Sequence, residues 1–272
     1  MQPNYAEVIA LAKLAGEAIL QIYNRSDFTA VTEKEDASPL TEADLAAHQI
    51  LNDGLQEICN IPVVSEESPL PPKEERSRWN RFWLIDPLDG TKEFIDRNDE
   101  FTINIALIEE GEPVFGLIYI PVSDECYYGG EGKAFKKTGA EPAIPIKTSS
   151  PSAILREFGY IRVLASRRHA TEQLDRLCDR LSDKLGGVKK IAAGSAIKLA
   201  YLSEGRGELY PRFGNVSEWD IAAGHAILRC IGGDVVTRQF EPIRYGHKPT
   251  MIVPGFFAVG DVDYDWRPIL LT

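Results

Sequence analysis

Two carboxylates follow a strongly apolar segment in the middle of the chain. Residues 83–91 read WLIDPLDGT, so Asp86 and Asp89 stand three positions apart directly after an apolar run. A strand of this kind delivers both acids to its carboxyl end, where α/β proteins commonly place ligands. Two carboxylates converging in one turn suit a hard divalent cation, with carbonyl oxygens and water completing its coordination. A polar turn, with Asp86 as a cap and Asp89 preceding a turning Gly90, explains the same residues equally well.

Three further acidic positions have ordinary explanations when they are taken one at a time. Glu66 follows a short apolar run, and a solvated loop accounts for it. Asp44 and Asp220 each fall in the first turn of a predicted helix, where a carboxylate complements the helix dipole. None of these three acids indicates a site by itself.

Composition limits the classes of protein and partner. The chain has 272 residues, 44% of them hydrophobic and 26% charged, with a formal net charge of −11. These values are typical of a globular protein and exclude a disordered chain. No apolar run approaches the roughly 20 residues that span a bilayer. The acid excess argues against a nucleic-acid polymer as partner, because phosphate backbones are bound by basic surfaces, but small phosphorylated ligands stay open if cations mediate the contact.

Cysteine usage and the start of the chain predict a cytoplasmic location. The four cysteines form no C-x-x-C pair, and the first residues lack the basic and apolar segments of a signal peptide. A reducing compartment is therefore expected. Peripheral attachment to the inner face of the cell membrane stays open, as does the choice between a monomer and a homodimer.

Hydrophobic periodicity predicts an α+β N-terminal half. Apolar residues at helical spacing predict one helix over residues 5–23 and another after Thr41, where Thr41 and Asp44 fit a capping box. The pattern then changes to that of strands. The predicted strands cover residues 81–85, 101–108, 114–120 and 125–135.

Alternating helical and strand patterns predict an α/β C-terminal half. The predicted strands are 161–165, 188–192, 208–213, 235–236 and 256–259, and the predicted helices are 171–185, 195–202 and 218–230. A stretch rich in Pro, Ser and Thr, residues 141–152, is the best boundary candidate. We therefore expect an N-terminal metal-binding half (1–145) packed on a C-terminal substrate-binding half (146–272), with one site at their junction.

Taken together, the acidic segments resemble the inositol monophosphatase superfamily of metal-dependent, lithium-sensitive phosphatases. The resemblance runs from the first helix to near the C-terminus. Its carriers are Glu66-Glu67, the DPLDGT segment at 86–91, and Trp219-Asp220. It implies a layered αβαβα sandwich of the sugar-phosphatase type, with two packed subdomains.

Within the superfamily, the chain is most similar to the 3′(2′),5′-bisphosphate nucleotidases. The supporting stretches are SPLTEAD at 38–44, GTKEF at 90–94, GSAIK at 194–198 and LYPRF at 209–213. The GSAIK stretch departs from the nucleotidase pattern, because Ala196 stands where that pattern frequently has a second serine. The resemblance implies hydrolysis of 3′-phosphoadenosine 5′-phosphate to AMP and phosphate, which would recycle a by-product of sulfate assimilation. The alternative is an inositol monophosphatase or fructose bisphosphatase. A non-catalytic nucleotide sensor is disfavoured, because every metal-motif residue and Thr91 are present.

The resemblance also implies a metal cluster and a mechanism. Two or three Mg²⁺ ions would be held by Glu66, Asp86, the Leu88 carbonyl, Asp89 and Asp220. Glu66 and Thr91 would orient and deprotonate a metal-activated water, and Asp44 would hold the Thr91 hydroxyl. This water would attack phosphorus directly, without a phosphoenzyme intermediate.

Substrate contacts are expected from both halves. The candidates are Glu66, Leu88, Asp89, Gly90, Thr91, His169, Gly194, Ser195, Lys198, Arg212 and Asp220. The predicted helix start at Gly194-Ser195 would offer amides to a second phosphate, with Lys198 supplying charge; a plain N-cap role for Ser195 is an equally good local explanation. His169 would contact the nucleotide. Arg212 would contact the second phosphate or pair with nearby acids.

Overall fold

The computed structural model describes residues 3–25, 31–33, 39–167 and 171–271, and residues 31–33 through their backbone alone. The helices are α1 (Tyr5–Tyr23), α2 (Glu42–Ile58), α3 (Lys73–Arg76), α4 (Thr91–Ile95), α5 (Pro151–Phe158), α6 (Glu172–Leu185), α7 (Ile197–Ser203), α8 (Glu218–Arg229) and α9 (Arg267–Leu270). The strands of the first half are β1 (Val31–Glu33), β2 (Pro39–Thr41), β3 (Val63–Ser65), β4 (Arg81–Asp89), β5 (Thr102–Glu109), β6 (Glu112–Ile120), β7 (Glu125–Gly130), β8 (Lys133–Thr138) and β9 (Ile144–Pro145). Those of the second half are β10 (Ile161–Ser166), β11 (Val188–Ala193), β12 (Leu209–Arg212), β13 (Val216–Ser217), β14 (Asp234–Thr237), β15 (Ile252–Val253) and β16 (Phe256–Val259). No helix in these described ranges has the length and apolar character needed to cross a membrane.

The two N-terminal helices form the outer layer of the first half. Both bury one apolar stripe against the larger sheet, as their periodicity predicts. The predicted capping box at the start of α2 is confirmed, because the Thr41 amide donates to Asp44 Oδ2 at 2.8 Å and the Ala43 amide donates to Thr41 Oγ1 at 3.2 Å. The carboxylate of Asp44 is thereby fixed where α2 begins.

The larger sheet carries the two central acids. Its strand order is β3-β4-β5-β6-β7-β8-β9, in which only β3 and β4 are parallel. Strand β4 is buried almost throughout, and its pairing with β5 shifts register between Asp86 and Asp89. The prediction of one strand over 125–135 is wrong, because Glu131 and Gly132 form a turn with positive φ that divides it into β7 and β8.

The smaller sheet belongs to the second half and is mixed. Its order is β11-β10-β12-β16-β14, with β10 parallel to both neighbours and β16 antiparallel to both of its own. Helices α7 and α8 lie between the two sheets, and α5, α6 and α9 cover the outer face of the smaller one. The layers therefore run αβαβα, as expected.

Close packing brings α8 over the larger sheet. A Cβ atom on Gly116 of β6 would lie 2.0 Å from the Ala223 carbonyl oxygen, so only glycine permits this approach. The interface is apolar, with Ile118 of the sheet in the same cluster as Ala222 and Ile227 of the helix. This contact holds α8 close against the larger sheet.

Candidate active site

A cleft of about 370 Å³ opens where the end of β4 meets the first turn of α8 and the loop before α7. Most predicted site residues in the described ranges line it: Glu66, Asp86, Leu88, Asp89, Gly90, Thr91, Gly194, Ser195, Lys198, Arg212 and Asp220. Asp44 reaches it through Thr91, whose hydroxyl donates to Asp44 Oδ1 at 3.3 Å. His169 lies outside the described residues.

Three carboxylates converge at the floor of the cleft. Glu66, Asp86 and Asp220 each offer an oxygen, and these oxygens all lie within 4.8 Å of one another. Burial, followed by repulsion from Glu66 and Asp89, raises the pKa of Asp86 well above its ordinary value. Burial, together with the charges of Asp89 and Glu66, does the same to the pKa of Asp220. The carboxylates repel one another when they are ionised, and a divalent cation would relieve this repulsion. Because divalent cations such as Mg²⁺ prefer oxygen ligands, this cluster could hold a metal ion.

Backbone amides hold several of the acids in place. The Leu88 amide donates to Asp86 Oδ1 at 3.1 Å, within the irregular end of β4. The Ser217 amide donates to Asp220 Oδ2 at 2.9 Å, which completes a capping box at the start of α8. The capping role of Asp220 and its place in the cluster therefore coexist, because each carboxylate has two oxygens. The same holds for Asp44 at the start of α2.

Asp89 stands beside the group of three and is held by both halves of the chain. Its Oδ2 accepts hydrogen bonds from Ser195 Oγ at 2.7 Å and from the Ala196 amide at 2.6 Å. Burial raises the pKa of Asp89, against the lowering effect of the Ser195 hydrogen bond and the Lys198 charge. Among the described residues, the group within 4.8 Å does not include Asp89. The structure thus brings Asp89 to the cleft with one oxygen turned toward the second half.

A polar network in β5 supports this contact. Thr102 Oγ1 lies 2.6 Å from Ser195 Oγ and donates to Asn104 Oδ1 at 3.0 Å. Asn104 Nδ2 in turn donates to Asp89 Oδ2 at 3.4 Å. Neither Thr102 nor Asn104 was anticipated from the sequence. Their signal was two polar residues at alternate positions of an otherwise apolar strand, which places both on one face.

The prediction that a helix begins at Gly194-Ser195 is wrong. Helix α7 begins at Ile197, and Ser195 has a φ of +46°, in the left-handed region. The reason is the contact with Asp89, which draws the Ser195 hydroxyl and the Ala196 amide out of a helical path. The Gly194 amide donates to Glu100 Oε2 at 2.8 Å.

Lys198 is turned inward rather than into open solvent. Its side chain is buried, and its ammonium group donates to the carbonyls of Ser195 at 2.6 Å and Ala193 at 3.1 Å. Burial lowers the pKa of Lys198 to about 8, against the opposing effect of Asp89. Lys198 therefore supports the Ser195 turn from below as well as placing positive charge near the cleft.

Two arginines of the second half lie at or near the cleft. Arg212 lines it and donates to the Asn215 carbonyl at 3.4 Å. In the part of the chain that the structure describes, Arg212 forms no ion pair within 4.0 Å, so the predicted pairing with nearby acids is not seen. Arg167, which follows the cleft residue Ser166, pairs with Glu100 at 2.5 Å.

Comparisons with known proteins agree with this geometry. The sequence profile of the inositol monophosphatase family matches residues 1–256. A 3′(2′),5′-bisphosphate nucleotidase CysQ from Salmonella typhimurium is 42% identical over 252 residues, or 92% of this chain and 97% of that protein. The crystal structure of CysQ from Bacteroides thetaiotaomicron is 37% identical, with a TM-score of 0.80 over 94% of this chain and 96% of its own. The extragenic suppressor protein suhB from Bartonella henselae shares the fold, with 22% identity and a TM-score of 0.73 over 95% of this chain and 93% of its own. The chain belongs to the inositol monophosphatase family.

Proposed function

We propose that the protein is a Mg²⁺-dependent phosphomonoesterase that hydrolyses 3′-phosphoadenosine 5′-phosphate to AMP and phosphate. The observation that carries this proposal is the acid cluster of Glu66, Asp86 and Asp220 in a cleft that Thr91 also lines. The substrate follows from the relative that is 42% identical over nearly the whole chain and is named a bisphosphate nucleotidase. The family is metal-dependent, which agrees with the oxygen-rich donor set.

The residues that would hold two or three Mg²⁺ ions are Glu66, Asp86, the Leu88 carbonyl, Asp89 and Asp220. Bound Mg²⁺ would neutralise these acids, lower the pKa of a water molecule and withdraw charge from the phosphate oxygens. The amide hydrogen bonds to Asp86 and Asp220 orient one oxygen of each carboxylate before any ion binds. This preorganisation reduces the cost of assembling the site.

Thr91, Asp44 and Glu66 would handle the attacking water. The Thr91 hydroxyl donates to Asp44 Oδ1, so its lone pairs can accept a hydrogen bond from water. The other oxygen of Asp44 accepts a hydrogen bond from the Thr41 amide at the start of α2, which holds the carboxylate beside Thr91. Glu66 would receive the second hydrogen bond and take the proton as the water attacks phosphorus. The bond between phosphorus and the 3′ oxygen would break in the same step, and this oxygen would take up a proton and leave as the 3′ hydroxyl of AMP.

The nucleotide would lie between the two halves. The Gly90 and Thr91 amides would contact the phosphate that is removed, since Gly90 has a φ of +92° and turns the backbone toward the cleft. Arg212 would contact the second phosphate, with Gly194, Ser195 and Lys198 forming the wall beside it. His169 would contact the nucleoside.

The two halves of the chain contribute different parts of the proposed site. Residues 1–145 supply most of the acids and residues 146–272 the nucleotide wall, with Asp220 contributed from the second half. One chain supplies the acids proposed to hold the metal ions, so a monomer would suffice for this part of the site, and a homodimer would carry two such sites. We place the enzyme in the cytoplasm, where a reducing medium suits its free cysteines.

Phosphate release with and without Mg²⁺ tests the proposal. The unmodified protein should release phosphate from 3′-phosphoadenosine 5′-phosphate only with Mg²⁺, and at a higher kcat/KM than from inositol 1-phosphate or fructose 1,6-bisphosphate. Asp89→Asn should abolish turnover and leave the fold intact by circular dichroism. Near-normal turnover by Asp89→Asn would contradict the mechanism, and a preference for inositol 1-phosphate would contradict the substrate.

A further inference from the structure

A buried arginine lies between the loop after Glu66 and the segment of residues 246–251. Arg76, the last residue of α3, is 2% exposed. Its Nε donates to the Pro71 carbonyl at 2.9 Å, and its Nη1 donates to the Gly246 carbonyl at 3.0 Å and to Met251 Sδ at 3.0 Å. Its Nη2 donates to the carbonyls of Lys248 at 2.8 Å and Pro249 at 3.0 Å. A side chain with this many backbone acceptors acts as a clamp between chain segments.

The clamp joins two segments that are about 175 residues apart in sequence. One is the loop that follows Glu66 and ends at Pro71. The other is residues 246–251, which the guanidinium grips at four points. Arg76 thus donates hydrogen bonds to both of these segments.

Residues 246–251 are hydrogen-bonded to the first turn of α8. The Glu218 amide donates to the Met251 carbonyl at 2.7 Å, and the Gly246 amide donates to Glu218 Oε2 at 2.7 Å. Gly246 has a φ of +78°, and a Cβ atom there would lie 2.8 Å from the Phe82 ring, so the segment requires glycine at this position. Glu218 is fully buried and lies two residues before Asp220.

We propose that Arg76 is a positioning residue that sets the spacing between Glu66 and Asp220. It ties the loop after Glu66 to the segment on which Glu218, and with it the start of α8, is anchored. The inference rests on the proposed metal-dependent function. The described contacts of Arg76 do not include the clustered acids. Its role is therefore to hold in place the two segments that support carboxylates that repel one another.

Arg76→Lys keeps the charge but cannot make five directed hydrogen bonds. The dissociation constant of this variant for Mg²⁺, measured by titration calorimetry without nucleotide, should be about tenfold higher than that of the unmodified protein. Loss of a contact that orients a metal ligand typically has an effect of this size. The KM for nucleotide at saturating Mg²⁺ should stay within about twofold of the unmodified value, because Arg76 does not line the cleft.

Arg162→Lys is the matched control. Arg162 also makes a part-buried network, with Glu208, Ser149 and Gly205, at the end of β10 away from Ser166 and the cleft. Both substitutions should lower the melting temperature, but only Arg76→Lys should weaken Mg²⁺ binding. Equal Mg²⁺ constants in the two variants would overturn the inference and leave Arg76 with a purely structural role.

Glu218 provides a second pair of variants on the other side of the clamp. Glu218→Leu removes the acceptor for the Gly246 amide and should weaken Mg²⁺ binding, whereas Glu218→Gln keeps an acceptor and should retain it. This pair decides the matter if Arg76→Lys does not fold, and equal constants for the two variants would overturn the inference. If the unmodified protein bound no Mg²⁺ at all, the proposed function would fail, and the inference with it.

Discussion

Replacement of Ser195 tests whether its hydroxyl orients Asp89 or binds the substrate. Ser195 combines a left-handed φ of +46° with a 2.7 Å hydrogen bond to Asp89 Oδ2. Alanine removes the hydroxyl and keeps the unfavourable backbone conformation. Glycine removes the hydroxyl and relieves that conformation. The two variants are therefore matched in side-chain chemistry and differ in backbone strain.

The expected stabilities follow from these two contributions. A hydrogen bond to a charged group contributes about 1.5–3 kcal/mol, so Ser195→Ala should lose about that much free energy of unfolding. The left-handed conformation costs a non-glycine residue about 1 kcal/mol, so Ser195→Gly should be more stable than Ser195→Ala by about this amount. For a chain of this length, 1 kcal/mol corresponds to a melting-temperature difference of about 2 °C.

The expected activities should not follow the stabilities. Both variants keep the Ala196 amide and the Asn104 side chain as donors to Asp89, so the carboxylate loses one hydrogen-bond donor of three. We expect kcat to fall by about tenfold in both, corresponding to about 1.4 kcal/mol of transition-state stabilisation, and the half-saturating Mg²⁺ concentration to rise. Phosphate release across a Mg²⁺ series, with thermal unfolding of the same samples, gives all three quantities.

Two results would refute this reasoning. If KM for the bisphosphate rose tenfold while kcat and the Mg²⁺ dependence were unchanged, Ser195 would be a substrate contact, as its position in the sequence suggested. If glycine restored the activity that alanine lost, the backbone conformation rather than the hydroxyl would be responsible.

Three other perturbations have expected outcomes. Thr91→Val should lower kcat by about 100-fold with little change in melting temperature, whereas Thr91→Ser should retain most activity; equal losses in a phosphate-release assay would exclude the hydroxyl role. Addition of Mg²⁺ at 100 times its dissociation constant should stabilise the chelator-treated protein by about 2.7 kcal/mol in denaturant unfolding, and an unchanged midpoint would show that no ion binds the folded state selectively. Burial alone would raise the pKa of Asp234, but the His225 hydrogen bond at 2.7 Å and the Val235 amide lower it. Because this pKa is then below its unfolded value, Asp234 contributes stability at neutral pH that is lost as pH falls below about 4, and Asp234→Asn should show a smaller loss over that acid range in thermal unfolding.

The parts of the site that follow from the sequence depend on local interactions. The capping box at Thr41 and Asp44 depends on residues three positions apart, and the burial of Asp86 follows from the apolar strand that contains it. Ser195 was predicted to begin a helix because its own neighbours favour one. Its conformation is set instead by Asp89, which lies 106 positions earlier in the chain.

Arg76 illustrates the same limit. It lies in the run KEERSR, which has the composition of an exposed turn, and yet it is almost fully buried. Its partners are mostly backbone carbonyl groups about 170 positions later in the chain. Because every residue has such a carbonyl, the residue types do not reveal which of them will accept a hydrogen bond. Clamps of this kind become visible only when the fold has brought the segments together.

The capping boxes bear on how a member of this family would decay if catalysis were no longer selected. Asp44 and Asp220 each accept the amide of the N-cap residue in a capping box, in addition to their place in the site. Loss of either acid would remove this half of the capping box, a hydrogen bond that typically contributes about 1 kcal/mol. A lineage that had abandoned the reaction would therefore still retain them, while Thr91, which serves no such cap, would be free to drift. An intact Thr91 is accordingly a better sign of a working enzyme than Asp44 or Asp220.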